Sequence, residues 1–342
     1  MYRSMRSIAL VSACASLLLL AGCGNKAKDT APLSFAPEDT PYLYANFEPL
    51  PDDVAKAWRN RADALRPFSA QSYQRMADVL RTGSPELADE LQAVGAELQS
   101  DKSAQQLVQH TGLSPKAHIA LYGIGIVPVL RFELSDPQAF RAFIARVEKR
   151  VGHPFKTAEL DGQKYWVNGY GSDKLNFLLA IEGDQAVATL APADADPALL
   201  KQLLGLTKPE HSAADRLSNI DGAQGYTEYG SGYLDLPKLL ARLSNPKDPV
   251  TLAYATALGA PAPSSDPSCP AEFASIGAQM PLASFGYQQF EADHVRGSLD
   301  ISLSAPLRGL LANLKQPVPG MAAGSDDSLF DLVLAFPLQK VR

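Results

Sequence analysis

VLRFELSDPQAFRAFI, residues 129–144, contains the transition that decides the fold: an alternating apolar strand, an Asp-Pro break and an amphipathic helix. Proline in the first helical turn lacks an N–H that would have no partner there, and Asp136 before it can accept hydrogen bonds from the following amides. The same order recurs in YLYANFEPLPDDVAKAW (42–58), AVATLAPADADPALLKQLL (186–204), GYLDLPKLLARL (232–243) and SLDISLSAPLRGLLANL (298–314). This recurrence predicts an α+β protein built from similar modules.

Sequence signals indicate the helix that follows Asp136 from its start to its end. Apolar residues recur at helical spacing and predict one buried face: Phe140, Phe143, Ile144, Val147 and Val151. Gly152 follows as a stop signal. In the preceding strand, Leu130 and Phe132 alternate with Arg131 and Glu133, which predicts that the charged side chains face solvent.

The strands come in pairs. FLLAIEGDQAVATLA (177–191) has a turn at Gly183-Asp184, and FGYQQFEADHVRGSLDISLS (285–304) has a polar break around Asp293. Short polar breaks between alternating stretches are typical of β-hairpins. We therefore predict repeated ββα-like modules that form antiparallel sheet, with helices packed on one face.

The chain between residues 52 and 112 differs, because its apolar residues follow a helical period: Leu87, Leu91, Val94 and Leu98. It predicts a helical insert within a first α+β lobe over residues 41–220. A second lobe is predicted over 221–342, because TKPEHSAADRLSNIDGAQG (207–225) breaks both periodicities. The stretch FDLVLAF (330–336) predicts a buried strand that completes a sheet.

The amino-terminal residues have the features of a secretory signal peptide over 1–22. Arg3 and Arg6 precede an uncharged apolar run from Ile8 to Leu20, which is shorter than the ~20 residues needed to span a bilayer. Leu20-Ala21-Gly22-Cys23 resembles the lipobox of bacterial lipoproteins. The resemblance implies cleavage between Gly22 and Cys23 and acylation of the cysteine.

Three acyl chains on Cys23 would anchor the protein firmly, since each buried methylene contributes about 0.8 kcal/mol. The polar, proline-punctuated residues 23–40 predict the lipidated cysteine followed by a flexible tether. In lipoproteins, Asp after the cysteine favours the inner membrane, whereas here Gly24 follows. By this resemblance we expect attachment to the periplasmic face of the outer membrane.

The net charge restricts the kinds of partner that the protein can bind, and the cysteine content identifies a candidate free thiol. Without Arg3 and Arg6, 29 of the 31 basic residues remain against 37 acidic ones, a formal charge of −8. Such a chain offers no basic surface for a phosphate backbone, so no nucleic-acid partner is predicted. Cys14 leaves with the signal and Cys23 is acylated, which makes Cys269 a candidate free thiol.

No motif for catalysis, metal binding or a cofactor is present, and we predict no catalytic residue, metal or cofactor. The five histidines are scattered without H-E-x-x-H or a Cys/His cluster. Asp194 and Asp196 are typical of a helix start rather than a cation site. Aromatic and glycine-rich stretches supply a candidate binding surface: Tyr165, Trp166, Tyr170, Tyr226, Tyr229 and Tyr233.

Three segments resemble lipoproteins of Gram-negative bacteria that carry a domain of unknown function. They are APEDTPYLYANFEPLP (36–51), LYGIGIVPVLRFELSDPQAFRAFIARVE (121–148) and DPSCPAEFASI (266–276). The resemblance supports a cell-envelope lipoprotein and implies no catalytic motif.

Two functions of different classes remain. The first is a non-catalytic, membrane-anchored module that binds or scaffolds an envelope protein, glycan or lipid through a sheet face or loops. The second is a periplasmic hydrolase with a dispersed active site, which requires a cleft with a histidine or a carboxylate pair. The lack of any catalytic motif favours the binding module.

Overall fold

The computed structural model describes residues 32–81, 85–114, 116–170, 174–245, 247–257, 266 and 268–312. The predicted signal peptide, Cys23, the first part of the tether and FDLVLAF (330–336) lie outside these residues.

One sheet of ten strands forms the centre of the described structure. The strands are β1 (Tyr42–Ala45), β2 (Ile119–Ile124), β3 (Val127–Glu133), β4 (Thr157–Leu160), β5 (Gln163–Tyr170), β6 (Leu175–Glu182), β7 (Gln185–Pro192), β8 (Ser231–Asp235), β9 (Leu282–Phe290) and β10 (Val295–Ser302). Their order is β10-β9-β8-β1-β2-β3-β7-β6-β5-β4, and every neighbouring pair is antiparallel. The predicted α+β class and antiparallel pairing are confirmed.

The helices are α1 (Asp52–Leu80), α2 (Pro85–Gln99), α3 (Ala104–Thr111), α4 (Pro137–Val151), α5 (Pro197–Leu204), α6 (Ala214–Gln224), α7 (Leu236–Leu243), α8 (Pro249–Ala257), α9 (Ser268–Gln279) and α10 (Ala305–Ala312). A 3-10 helix, Leu33–Phe35, precedes β1. The predicted insert is helical, because α1, α2 and α3 fill it between β1 and β2. Within the described part of the chain, no helix has the length and apolar composition needed to cross a bilayer.

The five strand-to-helix transitions form as predicted, and acidic side chains cap three of the helices. Asp136 Oδ1 accepts hydrogen bonds from the N–H groups of Gln138 and Ala139, at 2.8 and 3.0 Å. Asp196 Oδ1 accepts from Leu199 N–H at 2.8 Å, and Asp235 Oδ1 accepts from Lys238 N–H at 3.0 Å. Each cap satisfies amides that have no partner within the helix, and so fixes where the helix begins.

Helices pack on both faces of the sheet, so the prediction of helices on one face is wrong. In β7, Val187 belongs to the cluster that contains the 3-10 helix, α5 and α6, and we call this side face A. The next residue, Ala186, belongs to the cluster that contains α4 and α2, on face B. Successive strand residues point to opposite sides, which places the two clusters on opposite faces. The second layer of helices arises because α4 carries its own apolar face.

The side chain of Arg131 is buried because helices also cover face A. It lies on face A, paired in register with Val187, and its side chain is 1% exposed. The guanidinium donates to Gln185 Oε1 at 2.8 Å, to Glu182 Oε2 at 3.1 Å and to the carbonyl of Leu204 at 2.9 Å. The prediction that Arg131 faces solvent is therefore wrong, because its charge is satisfied inside the protein.

The sheet also joins the two predicted lobes. β1, from the first lobe, pairs with β2 on one side and with β8, from the second lobe, on the other. Residues on both sides of the stretch 207–225 thus belong to one sheet.

The predicted tether is wrong for residues 33–40, which are folded. Leu33 and Ala36 are fully buried, and the Phe35 ring centroid lies 3.6 Å from Cζ of Arg131. The hydroxyl of Thr40 accepts a hydrogen bond from Gly123 N–H at 2.9 Å. The apolar side chains in this proline-punctuated stretch are buried in the core, which stabilises an ordered conformation.

Candidate binding face

One lateral row of side chains crosses all ten strands on face B, and we call it the cross-sheet row. Residues opposite each other in an antiparallel pair share a face, so the registers define the row. In spatial order it consists of Leu299, Phe285, Gly232, Tyr44, Leu121, Leu130, Ala188, Leu179, Trp166 and Thr157. No residue of the row carries a charge.

Helix α4 covers the end of the row that contains Leu179 and Trp166. These two side chains pack against a cluster that includes the buried face of α4: Phe140, Phe143, Ile144 and Val147. Ala93 of α2 belongs to the same cluster. Side chains of α2 also reach the sheet directly, since Asn168 of β5 donates a hydrogen bond to Glu90. We call this part of face B the covered half.

The other half of face B is open in the described structure. Its apolar side chains retain large exposed fractions: Leu130 36%, Leu121 38%, Phe285 40%, Ile301 50% and Leu299 66%. Ile301 lies two residues from Leu299 and therefore on the same face. We call these five residues, together with Tyr44, the open face. It spans strands β3, β2, β1, β9 and β10, with Gly232 of β8 between them.

Two stacked aromatic rings lie at the centre of the open face. The rings of Tyr44 and Phe285 are parallel within 5°, with centroids 5.9 Å apart. Between their strands lies Gly232, where an added Cβ would come within 2.6 Å of the Phe285 ring. Glycine therefore lets an aromatic ring lie against the backbone of the sheet. Burial, and the neighbouring Tyr287, raise the pKa of Tyr44 above its usual value. The Tyr44 hydroxyl therefore remains uncharged at physiological pH.

More aromatic side chains extend the open face at one end of β9. The rings of Tyr287 and Phe290 meet edge to face at 4.5 Å, and Tyr229 lies 6.2 Å from Phe290. Tyr229 is half-buried. It is the residue of the predicted aromatic surface that lies next to the open face.

Three other predicted aromatic residues do not form a surface. Tyr165, Tyr226 and Tyr233 are buried, so their assignment to a binding surface is wrong. Tyr226 donates a hydrogen bond to Asp300 Oδ2 at 2.6 Å, and burial raises the pKa of Tyr233 to about 12. Aromatic residues suit either face of a strand, and in β5 and β8 the side chains of Tyr165 and Tyr233 point into the core.

The remaining predicted residues lie elsewhere. Trp166 is half-buried in the covered half and lines a cleft of about 390 Å³ with Arg141 and Lys164. Cys269 is an unpaired, half-buried thiol in α9. The side chain of Tyr170 is outside the described structure, as is Cys23.

A second cleft, of about 440 Å³, lies where the 3-10 helix approaches α5 and α8. Phe35, Ile124 and Leu199 form apolar parts of its wall, and Lys208 stands 4.7 Å from the Phe35 ring centroid. Arg242 at the same cleft pairs with Asp39 at 3.6 Å. The cleft thus combines an apolar wall with charged side chains.

Histidines in the described ranges pair with carboxylates, carbonyls or an amide. His118 Nδ1 lies 2.8 Å from Glu133 Oε2, and His110 bonds Asp101. None of the described histidines bonds a serine, threonine or cysteine side chain. The geometry that a Ser-His or Cys-His nucleophile requires is therefore not formed by the part of the chain seen here. Glu291, Asp293 and His294 place ligand atoms within 4.8 Å of one another, but all three are exposed at a hairpin turn.

Comparisons with known proteins find no family and a distant structural match. No protein-family model matches the chain, and no curated protein matches it. Among solved structures, "Structure of crystal form III of TP0453" aligns over 83% of this chain and 86% of that chain. The identity is 11% and the TM-score 0.37. A similarity at this level supports no statement about function.

Proposed function

We propose that this protein is a lipid-anchored cell-envelope module without catalytic activity, whose open face binds an amphipathic helix of a protein partner. The observation that carries the proposal is the exposure of Leu121, Leu130, Phe285, Ile301 and Leu299 on one uncharged sheet face. A contiguous apolar surface of this kind marks an interaction site in soluble domains.

The covered half indicates the kind of occupant. There, the same cross-sheet row packs against an amphipathic helix, α4, which contributes Phe140, Phe143 and Ile144 to the interface. The open half offers the same chemistry, uncharged strand residues with apolar side chains, but none of its six residues belongs to a buried cluster that contains a helix. An amphipathic helix lying in an apolar groove or on an apolar face is a recurrent mode of peptide recognition.

The chemistry of the open face disfavours the other occupants. A glycan requires hydrogen-bonding side chains beside the aromatic rings, whereas Tyr44 is the one residue among the six of the open face with a polar side-chain atom. A single acyl chain is bound where a cavity encloses most of its surface, whereas Leu121 and Phe285 lie on an exposed sheet face. A protein helix can cover an exposed sheet face because it brings its own side chains.

Acylation of Cys23 would hold this face close to the membrane, and by the lipobox resemblance we place the protein on the periplasmic face of the outer membrane. Anchoring raises the effective concentration of envelope partners without any new contact. Intact-mass measurement of the native protein tests this part. The expected product begins at an acylated Cys23, and an unmodified thiol or an uncleaved leader would exclude it.

The binding proposal is tested by photocrosslinking in the native envelope. A benzoylphenylalanine replaces Leu299, and in a matched control it replaces Ile276 of α9, which is 52% exposed and is not part of the open face. Mass spectrometry then identifies the attached segment. We expect the Leu299 position, and not the Ile276 position, to attach a protein segment with apolar residues at helical spacing.

A synthetic peptide of the attached segment completes the test. It should gain helical circular dichroism on binding, and Leu121→Glu should weaken its affinity at least tenfold while Ile276→Glu leaves it unchanged. Attachment to lipid or glycan, equal attachment from both positions, or a peptide insensitive to Leu121→Glu would each overturn the proposal. Circular dichroism and urea unfolding of the free variants show whether they remain folded.

We further propose that the chain is composed of repeated ββα units. Three hairpins are each followed by a helix: β2-β3-α4, β6-β7-α5 and β9-β10-α10. If the units are repeats, their backbones should superpose with matching hairpin registers in an experimental structure. Superposition no better than that of unrelated hairpins would exclude the repeat.

A further inference from the structure

β10 is the last strand of the described sheet on its side, and its outer edge has no strand partner among the described residues. The strand is long for an edge, from Val295 to Ser302, and none of its residues is buried. An unprotected edge of this length presents a row of N–H and C=O groups to any strand that can pair with it.

The side chains of β10 alternate between two kinds. Asp300 lies on face A, where it accepts a hydrogen bond from the buried Tyr226, so Ser298 and Arg296 also lie on face A. The bulge in the hairpin leaves this alternation intact, because the extra residue is in β9: Arg296 pairs with Gln289 and Gly297 with Tyr287. Val295, Gly297, Leu299 and Ile301 therefore lie on face B.

We propose that a second copy of this chain pairs with the β10 edge, antiparallel, about a two-fold axis at Ser298. In this register Arg296 lies opposite Asp300 of the partner subunit, and by symmetry Asp300 lies opposite Arg296 of the partner subunit. On face B, Val295 lies opposite Ile301 of the partner subunit. The edge is thus complementary to itself in charge and in apolar character, which an isologous interface requires.

Other antiparallel registers lose the complementarity. A two-fold axis perpendicular to the sheet keeps side chains on their own face, so the register shifts in steps that move the axis by one residue. An axis at Gly297 places Arg296 opposite Ser298 of the partner subunit. An axis at Leu299 places it opposite Ser302 of the partner subunit. Only the axis at Ser298 forms two opposite-charge cross-strand pairs, which stabilise antiparallel strands.

The pairing would make one continuous sheet and join two open faces side by side. Leu299 and Ile301 would then lie at the centre of a doubled apolar surface rather than at its margin. This inference stands apart from the helix-binding proposal, since it depends on the edge of β10 and not on the occupant of the face.

Disulfide trapping of the full-length protein tests the register. In a Cys269→Ser background, Ser298→Cys places the new thiol on the two-fold axis, where paired residues have Cα atoms about 4.5–5.5 Å apart. The matched control is Ser302→Cys, on the same strand and face but about 26 Å from its symmetry mate. After mild oxidation, trypsin and mass spectrometry identify peptide 297–308 linked to itself.

We expect the self-linked peptide from Ser298→Cys and not from Ser302→Cys. Sedimentation of the protein without added cysteines should show a dimer, and Arg296→Glu should raise its dissociation constant about tenfold or more. The double variant Arg296→Glu/Asp300→Arg should recover most of this loss. A monomer, equal linking at both positions, or a dimer indifferent to Arg296→Glu would overturn the proposal. Protection of the edge by residues 313–342 of the same chain would appear as the monomer.

Discussion

The covered and open halves of face B differ although one row of uncharged side chains runs through both. In the covered half, Leu179 and Trp166 pack against α4, which also packs against α2 of the helical insert. In the open half, Leu121 and Phe285 belong to neither buried cluster and are each more than a third exposed. The strands alone do not decide whether an apolar face is core or interface. That depends on whether a helix of the same chain lies over it.

Electrostatic contacts hold the covering helix in place. Glu97 of α2 accepts from Arg150 Nε at 2.6 Å and also bonds Arg146, and both arginines belong to α4. Burial opposes the charge of Glu97, yet the two guanidinium groups hold its pKa below the usual value. This contact connects the helical insert to α4 and so stabilises the position of α4 over the covered half.

The largest expected effect comes from deleting a ring in the covered half. Phe143→Ala removes a side chain that is 7% exposed and packs at 6.1 Å from the Phe140 ring. The cavity and the lost burial should lower the free energy of unfolding by about 3–5 kcal/mol. Urea unfolding measures it, with Phe285→Ala as the matched change in the open half.

Phe285→Ala should cost about 1 kcal/mol, because the ring is already 40% exposed and less apolar area is lost. Equal losses from both variants would show that the open face is covered in solution, and would remove the basis of the comparison.

A smaller loss is expected when the contact between the Phe285 ring and the strand backbone is disturbed. Gly232→Ala places a Cβ 2.4 Å from the carbonyl oxygen of Leu43 and 2.6 Å from the Phe285 ring. The ring and the strand must shift, which should lower stability by about 1–3 kcal/mol. The control is Gly222→Ala in α6, where the added Cβ would meet no atom within 4 Å apart from the adjoining backbone of its own helix.

Because alanine favours helix over glycine, Gly222→Ala should leave stability unchanged or raise it by up to about 1 kcal/mol. Thermal unfolding distinguishes the two variants. If Gly232→Ala were as well tolerated as its control, the Phe285 ring would not lie over the strand.

The contact between α2 and α4 predicts a dependence on pH. The pKa of Glu97 is lower in the folded protein than in the unfolded chain, so its contribution is complete above the unfolded pKa and is lost as pH falls through the folded one. Glu97→Gln should lower stability at pH 7 by about 1–2 kcal/mol. It should also flatten the decline of stability below about pH 4.5.

Stability measured from pH 7 to pH 3 checks this. The control is Glu159→Gln, a change at an exposed residue of β4, which should keep the full acid dependence. An unchanged acid profile in Glu97→Gln would show that the contact does not form.

The smallest effect is expected at the margin of the open face. Leu299 is 66% exposed in the single chain, so Leu299→Gln should change the free energy of unfolding of the monomer by no more than about 0.5 kcal/mol. Chemical unfolding at several protein concentrations measures this. A loss above about 1.5 kcal/mol would mean that Leu299 is buried in solution, by the same chain or by a partner.

Much of the fold could be predicted from local sequence signals. The Asp136 and Asp196 caps, the helix from Pro137 to Val151 and the Gly183-Asp184 hairpin all depend on neighbours within a few residues, and all form. The helical insert also forms, since a helical period in the sequence reports an amphipathic helix directly.

The candidate site was less predictable. Aromatic content led to Tyr226 and Tyr233, which are buried, while the open face uses Leu121, Phe285 and Leu299. Strand alternation could have suggested Leu121 and Leu299 as members of one face. It could not place them in the same row, because the row is defined by pairing among strands far apart in the chain.

The sequence by itself determined the five places where a strand gives way to a helix, because caps, turns and periodicity act over one or two turns of the chain. Only the tertiary structure decided that the charge of Arg131 is inside and the apolar side chain of Leu130 outside. A strand has two chemically distinct faces, and its own sequence states only that they differ. Which face becomes core depends on where distant segments pack: Phe35 of the 3-10 helix lies against Arg131, whereas Leu130 belongs to neither buried cluster.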